Sequence, residues 1–250
     1  MSFSISELSN ILKIASGSPG EVKNLIKLLS VDVNQSLGDG NYILKTPTKE
    51  LSAYSQKPLQ EGAKYWMELS SKPQENAIVS KYLLQPPLLK DMLSLPIRFE
   101  MKDLHELLSG KKSLESLKNQ LLEHLSTASS KEDFTQLSNM LLSLMQSTLT
   151  LPLAYEHYFG VFQMKKRYNK ETKKSQLDFY AALEKLGPIS GVVMDLESEV
   201  VIHLDVAFDA TKLFLQEHLK EIRYKVTLQV HDVIEPLFVP QTNSILDINV

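Results

Sequence analysis

Residues 187–206, GPISGVVMDLESEVVIHLDV, constrain the fold most, because they predict two strands joined by a tight turn. In the second strand apolar residues alternate with His203 and Asp205, which is typical of a half-buried strand. The first strand, over 189–196, is apolar on both faces, as in a more central strand. Glu197 and Ser198 are expected to form the turn. The fold must therefore bury one apolar face of the second strand, formed by Val200, Ile202, Leu204, Val206 and Phe208.

A helix and a further strand are predicted to follow this hairpin. Asp209 stands where a helix N-cap belongs, and Phe208 and Leu213 are spaced for a hydrophobic staple. Apolar residues at helical spacing extend the predicted helix over about 210–222. Residues 224–231 then alternate between apolar and polar, which predicts a strand with one wet face. In this β-β-α-β unit the helix must cover one face of the sheet.

The first third of the chain is predicted to form a small β unit. Short apolar runs separated by turn signals are typical of a curled sheet or open barrel. Residues 26–36 fit either a helix or a strand, and Val31 and Val33 favour the strand. Trp66, the only tryptophan, is expected to be a partly buried packing residue rather than a binding platform. The further strand candidates are 42–45, 51–55, 64–69 and 77–83.

The middle of the chain is predicted to be a helical hairpin over residues 113–148. Each half carries leucines on one narrow stripe, and Ser130 with Asp133 resembles a capping box. The stripes are expected to pack within the chain. Residues 149–153 are expected to end the helices, and 155–168 to form a strand with a bulge or bend at Gly160. Residues 177–180 are read as extended and 181–186 as a short turn.

Composition excludes several function classes. The net charge of −3 gives no general attraction to nucleic acid or membranes. The chain has no cysteine, so disulfides and thiolate metal sites are excluded. No apolar run is long enough to span a bilayer, and the N-terminal residues do not have the pattern of a cleaved signal.

No catalytic, metal or cofactor motif is recognisable, so we predict a protein that is not an enzyme and binds no cofactor. The six histidines form no pair at metal-ligand spacing, and His203 with Asp205 is read as part of a solvated strand face. There is no phosphate-binding glycine loop and no nucleophile elbow. One basic cluster could contact phosphates but is read as a solvated strand end and loop; it comprises Lys165, Lys166, Arg167, Lys170, Lys173 and Lys174.

The predicted fold class is α+β, with an N-terminal β-rich unit, a central helical hairpin and a C-terminal β-β-α-β domain. The expected segments are a helix or tail over 1–20, a small barrel-like domain over 21–85, a helical segment over 86–150 and a C-terminal domain over 151–250.

Residues 177–206, LDFYAALEKLGPISGVVMDLESEVVIHLDV, resemble the C-terminal domain of flagellar hook-length control proteins. That family has an extended segment, an acidic turn ending in Leu-Gly, a hairpin, a helix and a closing strand. The Leu-Gly is Leu186-Gly187, preceded by Glu184, and the resemblance covers about 151–233. Residues 31–83 resemble, more faintly, the N-terminal part of shorter hook-length-control-like proteins.

The resemblance implies a role in the flagellar type III export apparatus. The family's C-terminal domain engages the cytoplasmic domain of the export-gate switch protein and changes the class of exported substrate. The implied partner-binding residues are Leu186, Gly187 and Pro188, and the implied location is cytoplasmic, with export through the flagellar apparatus left open. The turn lacks the proline usual before the acidic pair, and no long Pro/Ser/Thr-rich stretch precedes residue 151, so length measurement is not implied.

Two other functions stay open at this point. A cytoplasmic adaptor or chaperone could use the 113–148 helices to hold flagellar subunits or other export components. An enzyme is the third alternative, although no catalytic constellation supports it.

Overall fold

The computed structural model describes residues 28–240, except 47, 71–76, 91–94, 96, 110–112, 156–157, 170–173, 197–198 and 220–223. Both strands and helices are present, and the chain is an α+β protein. The expected N-terminal tail, the hairpin turn at 197–198 and the helix end at 220–222 lie outside the described residues.

A closed five-stranded barrel forms the N-terminal part of the described chain. Its strand order is β1-β2-β3-β5-β4, and β1 closes the barrel by pairing antiparallel with β4, while β3 and β5 run parallel. This is a Greek-key barrel of the OB type. The strands are β1 (Leu28–Gly38), β2 (Asn41–Lys45), β3 (Glu50–Tyr54), β4 (Lys64–Ser70) and β5 (Ala77–Leu84).

The remaining described strands form one seven-stranded sheet in the order β12-β11-β10-β9-β8-β7-β6. Neighbours are antiparallel, except for the parallel pairs at the two edges, β11 with β12 and β6 with β7. The strands are β6 (Phe99–Glu100), β7 (Leu149–Tyr155), β8 (Tyr158–Asn169), β9 (Lys174–Leu183), β10 (Gly187–Leu196), β11 (Glu199–Val206) and β12 (Lys225–Val230).

Helices cover one face of this sheet and the barrel covers part of the other. Leu117, Leu137 and Phe214 from three helices share a buried core with Phe162 and Leu204 from the strands. The described helices are α1 (Pro87–Lys90), α2 (Met101–Leu108), α3 (Leu114–Ser126), α4 (Lys131–Met145) and α5 (Asp209–His218).

Both helices of the hairpin begin at serine N-caps, of which Ser130 is the predicted one. Ser113 Oγ accepts from the Ser116 N–H at 3.0 Å, and Ser130 Oγ accepts from the Asp133 N–H at 3.0 Å. A side-chain oxygen at this position satisfies an N–H that the first helical turn leaves without a carbonyl. The prediction that the leucine stripes pack within the chain is confirmed, since Leu121 and Leu137 lie in the core between helices and sheet.

The C-terminal hairpin, helix and final strand occur in the predicted order. Ile202 and Leu204 are buried, and Val200, Val226 and Leu228 are partly buried against the same core. The prediction is wrong for parts of two strands that precede the hairpin in the chain, β7 and β9. Residues 149–155 form β7, and β9 runs on to Leu183, so the turn before β10 is shorter than expected. Both segments are apolar and short, which does not separate a strand from a helix end or a turn.

Three local predictions are corrected. Gly160 pairs in register with Leu153 and Leu183 without a bulge, and its missing Cβ makes room for the Leu183 side chain. Phe208 is the N-cap of α5 and no side chain caps it, while Asp209 is the first helical residue. Leu213 is 62% exposed and Phe208 is fully buried, so the staple is absent. Phe208 packs on the barrel side instead.

Leu204→Asp is expected to unfold the sheet, because it would place an unpaired charge at a position that is 1% exposed. A loss of about 4 kcal/mol or more in the free energy of unfolding is expected, measured by urea denaturation. Ser175→Asp, at an exposed position of β9, is the control and should change stability by about 0.5 kcal/mol. An unchanged midpoint for Leu204→Asp would contradict the assigned core.

Candidate functional site

The three predicted partner-binding residues lie in and just after the turn that joins β9 to β10. Leu186 is 1% exposed, and Gly187 and Pro188 are also buried. In this conformation they pack inside the molecule and present little surface to another protein. Their role in partner binding therefore stays a prediction. Since they are buried, they would affect a partner indirectly, by setting the shape of the turn.

Hydrogen bonds from two other elements hold this turn. The Trp66 indole Nε1–H, from barrel strand β4, donates to the carbonyl oxygens of Leu183 and Glu184 at 3.0 and 3.1 Å. The Thr211 hydroxyl, from α5, donates to the Leu186 carbonyl at 2.6 Å. Buried carbonyls need such donors, because leaving one without a partner costs free energy. The turn thus connects the barrel, the sheet and α5.

Gly187 is required here for two independent reasons. Its φ of +76° lies in the left-handed region that residues with a Cβ avoid. A Cβ at this position would also lie 2.7 Å from the ring of Phe208, which is fully buried and cannot move aside. The backbone angle and the close approach to Phe208 therefore each require glycine at this position.

Gly187→Ala should therefore destabilise the protein more than Gly38→Ala, which serves as the matched control. Gly38 has a φ of +86° but open space around its Cβ position. Gly38→Ala should lower the free energy of unfolding by about 1–2 kcal/mol through backbone strain alone. Gly187→Ala should lower it by about 1–3 kcal/mol more, because the added methyl group overpacks the core. Equal urea midpoints for the two variants would show that the Phe208 contact has no energetic weight.

Beside this turn a cleft of about 600 Å³ opens between the barrel, α4 and the sheet. We call it the cleft, and it is the main candidate site. Most of its walls are apolar, which is usual for ligand sites of this size. Its described lining is Trp66, Leu83, Leu84, Gln85, Pro86, Leu88, Lys131, Glu132, Thr135, Gln136, Asn139, Met140, Thr150, Val161, Gln163, Tyr180, Pro188, Ile234, Pro236, Phe238, Val239 and Pro240.

Residues 231–240, here called the strap, form one wall of the cleft as they cross the sheet after β12. The strap is tied at its start by an ion pair of 2.8 Å between Asp232 and Lys81 of the barrel. Near its end the Gln163 side chain pairs with the Phe238 backbone in both directions. Its Nε2 donates to the Phe238 carbonyl at 2.8 Å, and its Oε1 accepts the Phe238 N–H at 3.1 Å.

The Lys81 contact also affects the acidity of Asp232. The hydrogen bond and charge of Lys81 lower the pKa of this carboxyl below its usual range. The ion pair therefore persists to more acidic pH than an isolated aspartate would allow, and it is lost as pH falls through the lowered pKa.

The floor of the cleft carries a row of polar side chains on neighbouring strands. Thr150, Gln163 and Tyr180 are in register on β7, β8 and β9, and all are at least 95% buried. Gln85, at the end of the barrel, is 4% exposed. Two buried atoms of these side chains, Gln85 Oε1 and Thr150 Oγ1, have no hydrogen-bond partner among the described residues. Such groups are rare in folded proteins and call for an explanation.

Burial raises the pKa of the Tyr180 hydroxyl above its usual range, because the phenolate would lose its hydration. The folded state then keeps this proton at a pH at which the unfolded chain releases it. The contribution of Tyr180 to stability is therefore complete below pH 10 and declines as pH rises above that value.

Tyr180→Phe should reduce this alkaline loss of stability. Between pH 9 and 11 the wild type should lose about 1.4 kcal/mol more than the variant in its free energy of unfolding. Urea titrations at both pH values measure the difference. Tyr54→Phe, at a position that is 39% exposed, is the control and should keep the wild-type dependence. Identical slopes for all three proteins would refute the assignment.

Several polar residues singled out in the sequence have partners within the described part of the chain. Arg167 pairs with Asp178, His203 hydrogen-bonds to Thr227, and Lys170 and Lys173 lie outside the described residues. Within the described chain, no three His, Asp or Glu side chains are grouped to hold a metal ion. None of the described helices has both the length and the apolar character needed to cross a bilayer.

The barrel offers little electrostatic support for nucleic-acid binding, although barrels of this type often bind oligonucleotides. Single-strand binding uses a positively charged groove with stacked aromatic residues. Residues 28–84 contain equal numbers of basic and acidic side chains: Lys45, Lys49, Lys57, Lys64, Lys72 and Lys81 against Asp32, Asp39, Glu50, Glu61, Glu68 and Glu75.

Sequence reasoning found the turn but missed the cleft. Gln85, Thr150, Gln163 and Tyr180 are distant in sequence, and each reads as an ordinary polar residue of a strand or strand end. One feature of the sequence could have indicated the cleft. Thr150 is a polar residue within the apolar run 149–154, LTLPLA, and in a strand it lies on the face opposite the three leucines of that run.

No protein-family model matches the chain, and no curated protein matches it at a significant level. The resemblance to hook-length control proteins therefore stays a prediction from the residues themselves.

Proposed function

We propose that this chain is a hook-length-control-like protein that acts on the flagellar type III export apparatus by protein recognition. Its proposed partner is the cytoplasmic domain of the export-gate switch protein, and its proposed effect is to influence the switch of substrate class. The observation that carries the proposal is the turn, hairpin, helix and parallel strand over Leu183–Val230, in the order that the resemblance implies. The left-handed Gly187 at the family-like Leu-Gly position adds to it.

The surroundings of this unit favour recognition over catalysis. On its sheet face Asp205 pairs with His231, which directly follows β12, at 3.3 Å. The cleft beside it is lined mainly by apolar side chains and neutral polar groups. Apolar clefts with a few polar groups are suited to binding, and a catalyst would need a nucleophile or acid–base pair as well.

The adaptor alternative gains no specific support. The stripe assigned to it includes Leu137, which is fully buried, and Leu141 and Leu144, which pack against the same core. An adaptor would have to use other side chains of the two helices, such as the exposed Leu114, Leu122 and Met145.

The binding test needs the full chain. A fragment of residues 151–250 would lack Trp66 and the helices that cover Leu151 and Phe162, so its sheet would expose core residues. Calorimetry with the purified cytoplasmic domain of an export-gate switch protein from the same cell should show saturable, modest binding, as suits a transient contact.

Gly187→Val should weaken this binding at least tenfold, or about 1.4 kcal/mol, because it distorts the turn. Gly38→Val is the control for backbone strain elsewhere and should bind as the wild type does. Absence of binding by the wild type would overturn the proposal. Capture of flagellar subunits instead, lost on changing exposed residues of α3 and α4, would replace it with the adaptor function.

A further inference from the structure

We propose that the outer edge of β8 over residues 165–169, here called the basic edge, binds an extended acidic segment of a partner protein, which adds to the sheet as a further strand. This inference goes beyond the proposed function. It follows from the strand pairing and the charges of this part of the sheet, and it holds whether or not the protein serves flagellar export.

The strand pairing leaves the basic edge open. β7 pairs with only the first part of β8, and their register ends where Leu149 meets Met164. β9 continues along β8 as far as the pair of Asn169 with Lys174. Over residues 165–169, β9 is therefore the one described strand that pairs with β8. The backbone groups that point away from β9 lack a ladder partner in the described chain, and such an edge is a template for another strand.

The side chains of the basic edge are accessible and divide between the two faces of the sheet. Lys166, Arg167 and Tyr168 are exposed, Tyr168 by 59%. Because successive residues of a strand point to opposite faces, Lys166 and Tyr168 share one face, and Lys165 and Arg167 share the other. An added strand therefore meets a lysine on each face and an aromatic ring on one of them.

Both lysines of the basic edge lack an acidic partner in the described chain. Arg167 pairs with the buried Asp178, whereas Lys165 and Lys166 form no ion pair with another described residue. Opposite charges on neighbouring strands stabilise a sheet, and like charges destabilise it. A strand with carboxylates opposite these two lysines is therefore favoured.

The positive charge is confined to the hairpin of β8 and β9. Residues 165–174 contain six basic side chains and one acidic side chain, a local net charge of +5, whereas the whole chain has −3, so the remaining residues carry −8. A short acidic segment along the hairpin gains the local attraction alone. A long polyanion that spreads beyond the hairpin meets a surface of its own sign.

Backbone chemistry selects a peptide over other anions. The open edge of a strand presents both N–H donors and carbonyl acceptors. A phosphate group offers acceptors alone, so it would leave the carbonyls of the edge without donors. A second strand supplies donors and acceptors in the matching alternation, which is the basis of peptide recognition by strand addition.

Lysines on an edge strand also determine which strands are rejected. They keep two copies of one protein from pairing through the same edge, because like charges would meet. The same side chains favour a strand of opposite sign, so charge decides which strand is accepted. At the other end of the sheet, β12 has Lys225 as its single charged residue, and its edge lacks this preference.

The test uses the full chain and a defined probe. The probe is a heptapeptide of threonine and valine with two central glutamates, acetylated and amidated at its ends. Two matched probes replace both glutamates by glutamine or by lysine. Two further probes keep the glutamates and carry N-methyl groups on alternate residues, one on the odd and the other on the even positions. Affinities are measured by calorimetry at two salt concentrations.

One variant and one matched control locate the site. Lys166→Glu should weaken binding of the acidic probe at least tenfold and should create binding of the lysine probe. Lys225→Glu, at an exposed position of the opposite edge strand, should bind the acidic probe as the wild type does. Both changes are at the surface, so the thermal midpoints should equal that of the wild type. Hydrogen exchange of the amides of residues 165–169 should slow when the acidic probe binds.

The expected result is saturable binding of the acidic probe that weakens with added salt, and at least tenfold weaker binding of the glutamine and lysine probes. One N-methylated probe should bind and the other should not, because a strand turns alternate N–H groups to opposite sides. Equal affinity for both would overturn strand addition, and equal affinity for the glutamate and glutamine probes would overturn the charge assignment.

Three other outcomes would also overturn the proposal. Loss of binding in Lys225→Glu but not in Lys166→Glu would place the peptide at β12. Binding of a single-stranded oligonucleotide or of phosphatidylserine vesicles, without binding of the peptide, would make the hairpin a nucleic-acid or membrane contact. Absence of saturation with every probe would leave the lysines as protection of the edge. None of these results depends on the export-gate partner, so the flagellar function and the basic edge can fail separately.

Discussion

The hydrogen bond from the Trp66 indole to the turn between β9 and β10 is the interaction on which the arrangement of this protein depends. Indole has one donor and no acceptor, and here its N–H is shared by the buried carbonyl of Leu183 and the partly buried carbonyl of Glu184. The ring is 1% exposed and packs in a core that joins Leu28 of the barrel to Tyr180 and Phe208 on the sheet side. The Trp66 side chain thus packs in this core and also donates a hydrogen bond to carbonyls of the turn. Both contacts hold the barrel against the sheet.

The cleft is a consequence of this attachment. The barrel covers only part of its face of the sheet, and the strap crosses another part, held by Lys81 at one end and Gln163 at the other. Between them, next to α4, Thr150 and Tyr180 lie on the floor of the remaining space. A change in the barrel's orientation at Trp66 would therefore change the shape of the cleft.

Local patterns were sufficient where neighbours in sequence decide the structure. The alternation in β11 and the serine that caps α4 both depend on residues within a few positions. Predictions failed where a distant residue decided the outcome. Phe208 was expected to pack against Leu213 within its own helix, but the barrel and Gly187 offer it a fully buried position instead. Residues 149–155 became a strand because β8 pairs with them.

The sequence by itself determined the α+β class, the helical hairpin, and the C-terminal hairpin with its helix and strand. These features follow from periodicity and backbone geometry, which act locally. Only the tertiary structure decided that the barrel closes, that Trp66 joins it to the sheet, and that Gln85, Thr150, Gln163 and Tyr180 meet in one cleft. The physical reason is that burial and hydrogen bonding act between atoms that are close in space, and these residues come together only when both parts of the chain have folded and packed.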